Sequence, residues 1–147
     1  MSKLLSFPFL IAAISGVAMA VQGTINSSLS QKTSLLSATL VVHIIGTIVS
    51  LGAVLLWRAP FLTHNWSSTP WYLYLGGVLS VIIVGLVAVS IPKVGVCNAT
   101  TAIIIGQVST AVLIDHFGLL GVSRLPWSPW QLLGIGFFAV GAKLLFR

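Results

Sequence analysis

His43 and Asp115 are the first residues to ask about, because the rest of this 147-residue chain offers very little chemistry. Asp115 is the only acidic residue. His43 stands in the apolar run LVVHIIGTIVS. Imidazole changes charge near neutral pH, so His43 is the candidate for a proton switch inside an apolar segment. Asp115 is the candidate gate or coupling carboxylate. A lone carboxylate supplies no acid/base pair. The sequence also lacks a Ser/His/Asp set with a buried acid, a phosphate-binding glycine loop and a metal-ligand cluster. Enzyme chemistry, a metal and a cofactor are therefore not expected. Cys97 is the single cysteine, which excludes an internal disulfide and a multi-cysteine zinc site.

Amides and hydroxyls recur at helical spacing. Ser15, Met19, Gln22 and Asn26 form one stripe, and His43, Thr47 and Ser50 form another beside Gly46. Thr100, Gln107 and Asp115 share a broad face of a later segment. Its other face carries Asn98, Ala102, Gly106, Ser109 and Thr110, small enough for close helix contact. Polar side chains in lipid are expensive and mark pathways. Gln22, Asn26, His43, Thr47, Thr100 and Gln107 are thus the expected lining of a substrate pathway. A competing reading stays open for each. Hydroxyls return to carbonyls of their own helix. Gln22 and Asn26 bridge neighbouring helices, His43 is a neutral ring bonded inside the bundle, and Asp115 anchors a loop. A carboxylate at a helix C-terminus opposes the macrodipole, which predicts a cationic or hydrogen-bonding partner such as Arg124.

These residues need elements to hold them. The chain is 57% hydrophobic and 5% charged, where a soluble domain carries roughly 25% charged residues. Its solvent must be mostly lipid. The net charge of +6 comes from scattered single residues, so it reads as interface anchoring and not as a nucleic-acid surface. About 20 apolar residues cross a bilayer. Five windows meet that length, at about 4–24, 35–57, 71–91, 95–115 and 130–146. They are separated by NSSLSQKTS, RAPFLTHNWSSTP, IPKVG and HFGLLGVSRLPWSP. Unbroken runs such as VLSVIIVGLVAV exclude the alternation of a β-barrel. The fold class expected is an all-α integral membrane protein, one five-helix domain over residues 1–147.

Ala18-Met19-Ala20 has the form of a signal-peptide cleavage site. Small residues are equally at home in packed membrane helices, and cleavage there would remove the first span. The expectation is an uncut first helix ending near Gln22 and Asn26. Sequons at Asn26, Asn65 and Asn98 are read as coincidence.

With five spans, one side of the membrane holds Lys3, Arg58 and Arg124, and the other holds Lys32, Lys93, Lys143 and Arg147. A difference of one charge leaves the positive-inside rule without a preference. This balance predicts insertion in both directions and head-to-tail pairing. All five tryptophans lie on the first side, and two antiparallel copies would restore a belt at each interface. Two five-helix units related by an axis in the membrane plane make the inverted repeat of many secondary transporters.

The segment IPKVGVCNATTAIIIGQVSTAVLIDHFGLLG resembles the YdcZ-like family of the drug/metabolite transporter superfamily. Pro92, Gly95, Gly106, Gln107, Asp115, His116, Phe117, Gly118 and Leu119 carry the likeness, with PWYLYLGG and the Gln22/Asn26 pair in support. His43 and Lys93 fall outside that pattern. The resemblance implies a small five-helix exporter of the bacterial inner membrane, half of a ten-helix inverted-repeat transporter. Its partners would be the lipid bilayer, a second copy or a similar chain, and a small-molecule substrate. The residues themselves, with a single acid and a basic balance, fit a neutral, amphipathic or anionic substrate better than an organic cation. A dimeric passive channel and a non-transporting accessory subunit remain the alternatives.

Overall fold

A computed structural model describes residues 7–61 and 65–146. Lys3, the start of the first predicted span, residues 62–64 of the second loop, and Arg147 lie outside the described residues. Among those described, the regular structure is all helical. It comprises α1 (Phe7–Lys32), α2 (Leu35–Leu56), α3 (Leu75–Val94), α4 (Val96–Phe117) and α5 (Pro129–Leu145). A 3₁₀ turn, Trp71–Tyr74, leads into α3. Among the described residues four segments are long and apolar enough to cross a membrane: Phe7–Lys32, Leu35–Leu56, Trp71–Val94 and Val96–Phe117. α5 is apolar and has 17 residues.

The helix edges depart from the sequence expectation in two places. α1 does not end near Thr24 but runs on through NSSLSQK to Lys32. The polar residues there need no break, because the hydroxyls bond within the helix. Thr24 donates to the Ala20 carbonyl at 2.9 Å, and Ser28 donates to that of Thr24 at 3.0 Å. Gln22 and Asn26 are consequently interior positions of α1. Similarly, most of the expected IPKVG break belongs to α3, which contains Pro92 and runs to Val94. The break contracts to Gly95, whose φ of +82° is a conformation that side chains with a Cβ rarely adopt.

The chain divides into two compact units, Met1–Lys93 and Val94–Arg147. In the first, α1 and α2 form a hairpin. Ser34 caps α2 by accepting from the Ser37 N–H at 3.2 Å. α1 also meets α3 closely at Gly23. A Cβ there would lie 3.0 Å from Val87 Cγ1 and 3.5 Å from Ile91 Cδ1. The buried residues include Gly23, Asn26, Ser27, Ala38, Thr39 and Ala88. These are small or polar, Ile91 is the large apolar residue buried with them, and most other large apolar side chains of these helices are exposed. That inversion of a soluble core suits helices whose outer solvent is lipid. The α2–α3 connection is aromatic. Trp66 Nε1 donates to the Phe61 carbonyl at 2.8 Å, and the Tyr74 hydroxyl donates to the Trp66 carbonyl at 2.9 Å.

In the second unit α4 packs with α5. α5 starts with a capping box. Ser128 Oγ accepts from the Trp130 N–H at 3.2 Å, and Gln131 Oε1 accepts from the Ser128 N–H at 3.0 Å, with Pro129 at the first turn.

Candidate functional site

The first unit has an open cavity of about 500 Å³ lined by residues of α1, α2 and α3 and by Phe61. Its polar lining is Gln22 from α1, His43, Thr47 and Ser50 from α2, and Ser80 from α3. Val54 and Val84 are among its apolar walls. The volume lies within the roughly 300–1,000 Å³ common for small-molecule sites. An apolar lining with a few convergent polar groups is the usual composition of such sites.

His43 is half-buried and bonded at both ring nitrogens. Nδ1 lies 2.7 Å from the Thr39 carbonyl oxygen, and Nε2 lies 3.0 Å from Ser80 Oγ. A carbonyl only accepts, so Nδ1 carries a hydrogen. In the neutral ring Nε2 is then the acceptor and the Ser80 hydroxyl the donor. In the imidazolium, Nε2–H donates and the hydroxyl turns to accept. The geometry therefore accommodates either charge state with the same partners.

The helical periodicity predicted the meeting of Gln22, His43 and Thr47 only as faces of separate helices. The structure brings these three to one cavity. Thr47 is exposed to it, and its hydroxyl also donates to the His43 carbonyl at 2.8 Å. The hydroxyl oxygen retains lone pairs for another partner. Asn26 departs from the expected grouping. It is 6% exposed and does not line the His43 cavity. It borders instead a shallow apolar groove along α1 that it shares with Gln22.

Ser80 escaped the sequence analysis. The available signal was a single hydroxyl in LGGVLSVIIVGLVAV, otherwise free of polar side chains. Placed alone it reads as a hydroxyl bonded to its own helix. Its role appears only when α3 is set beside α2.

Thr100, Gln107 and Asp115 lie on α4 in the second unit. Thr100 and Asp115 are half-buried, and Gln107 is exposed. The end of α4 is closed by the segment that follows it. Gly118, at φ +64°, donates its N–H to the Ile114 carbonyl. Leu125 N–H donates to the Asp115 carbonyl at 2.7 Å, and Arg124 Nε donates to the His116 carbonyl at 3.0 Å. Three carbonyls of the last turn thus gain partners, and a cation meets the negative end of the helix. The expected Asp115–Arg124 pairing takes a different form. Arg124 directs Nε to a main-chain oxygen, which compensates the same helix end that a carboxylate burdens. The His116 ring lies 4.4 Å from that of Trp127, centroid to centroid, and its Nδ1 accepts from the Trp127 N–H at 3.4 Å. Among the described residues no group of three or more histidines, cysteines or acidic residues could hold a metal.

These features place the chain among multi-pass α-helical membrane proteins. The family model described as "Putative inner membrane exporter, YdcZ" matches residues 7–144. The chain belongs to this family, and it is a multi-pass protein of the inner membrane. No curated protein and no solved structure gives a significant match.

Proposed function

We propose that this chain exports small molecules as a five-helix subunit, working as an antiparallel homodimer or paired with a similar chain. The observation that carries the reading is the cavity between α1, α2 and α3, with a doubly bonded histidine in its wall. Export from the inner membrane is the activity its family describes. Gln22, His43 and Thr47 form the substrate pathway in the first unit. Thr100 and Gln107 on α4 are the pathway candidates of the second unit, Asp115 is its candidate gate, and Asn26 borders the groove beside Gln22. Proton coupling falls to His43, whose bonding partners suit both charge states. With one carboxylate in the chain, the substrate class is neutral, amphipathic or anionic.

α5 supplies the fifth span. Its 17 residues extend about 26 Å at about 1.5 Å per residue, near the lower limit for crossing the hydrocarbon core. Five spans make one domain and place the described termini of the chain on opposite faces. The near-equal charge of the two faces favours both orientations, and an inverted pair supplies the ten helices of a complete transporter.

Topology mapping tests the assembly. C-terminal reporters active on each face should both give signal. A signal on one face alone removes the antiparallel dimer. Transport is tested in proteoliposomes with a panel of neutral and anionic fluorescent compounds under an imposed pH gradient. Saturable, gradient-dependent movement supports the exporter, whereas ion leak without a gradient supports a dimeric channel.

A further inference from the structure

Pro92 lies inside α3 and has no N–H. In an α-helix the N–H of residue 92 would bond the carbonyl of residue 88. The carbonyl deprived by Pro92 is therefore that of Ala88. This oxygen is the one approached by a side chain from another helix: Ser27 Oγ of α1 donates to it at 3.4 Å. The contact is secluded, with Ser27 1% exposed and Ala88 2%. Gly23, one turn earlier on α1, permits the approach by leaving room for Val87 and Ile91. A carbonyl without a partner in a membrane interior costs several kcal/mol.

We propose that Ser27 is a positioning residue for α3, a latch that replaces the hydrogen bond removed by Pro92 and so sets the bend of α3 at that point. Proline is a usual site of helix kinks above about 20°. The bond is long for O–H···O, where about 2.7–2.8 Å is typical. The lever reaches the cavity. Ser80 lies about 12 Å along α3 from Ala88. A bend change of about 20° would move it by about 4 Å. That exceeds the reach of its 3.0 Å bond to His43. Engaging or releasing the latch would thus decide whether α3 keeps its contact with α2. The latch is independent of what the cavity carries.

The test is a double-mutant cycle on the full chain in lipid nanodiscs, read by hydrogen–deuterium exchange of residues 89–94. Ser27→Ala should speed exchange about fivefold, the size expected for losing one neutral hydrogen bond. Pro92→Ala restores the intrahelical N–H, so adding Ser27→Ala to it should leave exchange unchanged. An equal effect of Ser27→Ala in both backgrounds would assign Ser27 to packing alone and overturn the latch, as would no effect in the Pro92 background. Should Pro92→Ala fail to insert, Ser27→Cys decides. The thiol has similar size and donates weakly, so exchange should fall between wild type and Ser27→Ala. Exchange equal to wild type would overturn the latch.

Discussion

His43 and His116 are held by opposite ring chemistry. At His43, Nδ1 must carry a hydrogen because it faces the Thr39 carbonyl, and Nε2 meets a hydroxyl that both donates and accepts. At His116, Nδ1 must be bare because it faces the Trp127 N–H. A proton added to His43 goes to Nε2 and is absorbed by rotation of the Ser80 hydroxyl. A proton added at Nδ1 of His116 sets one donor against another and opens the contact with Trp127. The partners of the first ring suit both protonation states, whereas those of the second suit only the neutral one. A histidine in a membrane protein therefore declares its use by its partners as much as by its depth.

The largest expected effect follows from removing the ring that accommodates both states. His43→Ala should lower gradient-driven export about 100-fold, the lower end of the contribution of a positioned proton-transfer group. His116→Ala should change export far less. Equal losses would erase the difference between the two sites. The imposed gradient sharpens it further, since the residual export of His43→Ala should no longer respond to it.

Gly118 breaks the comparison from the other side. Its φ of +64° disfavours any side chain, and a Cβ would lie 3.2 Å from Arg124 Cβ and 3.3 Å from the Val122 carbonyl oxygen. Gly118→Val should destabilise the α4 end by about 1–3 kcal/mol, the usual cost of such strain. Hydrogen exchange should rise in residues 114–127, with little change in residues 35–56. A similar rise around His43 would show that the loop and the cavity open together.

Protonating the second ring gives a smaller effect with a definite sign. It removes the Nδ1 lone pair of His116 and releases the Trp127 N–H. The helix end itself gains, because a cation is favoured there. The expected outcome is a local change in Trp127 fluorescence, worth about 1 kcal/mol or less, in a chain whose other four tryptophans are Phe. His116→Asn, which keeps an acceptor near the Nδ1 position, should lose this pH response. His116→Asn responding like wild type would detach the signal from the ring.

The sequence was most legible where composition alone decides, in the helical class and in the rough positions of the apolar segments. Legibility failed where polar residues were taken as punctuation. NSSLSQK resembles a loop, yet the Ser28 hydroxyl finds a carbonyl within α1 and that of Ser27 finds one on α3. Ser80 was missed for the converse reason, since one hydroxyl in an apolar run carries no sign of the partner it meets on α2. Helical spacing assigned Gln22, His43 and Thr47 to faces, but the pairing of faces depends on how helices meet. Asn26 shows the limit: it is four residues from Gln22, yet it is buried away from the cavity that Gln22 lines.

Thr47 offers the finest discrimination, and its effect should be the smallest. Its hydroxyl hydrogen is committed to the His43 carbonyl at 2.8 Å, within its own helix. That carbonyl also accepts the helix's own N–H four residues on, so replacing Thr47 with the isosteric Val strands no buried group. Stability should change by less than about 0.5 kcal/mol. Thr47 also lines the cavity, however, and its oxygen keeps lone pairs free to accept. If they receive a donor from the passing molecule, Thr47→Val should lower export about threefold at unchanged stability, and the loss should appear as weaker half-saturation and not as a slower maximal rate. Export indistinguishable from wild type would return Thr47 to its helix and leave Gln22, His43, Ser50 and Ser80 as the polar groups of the cavity.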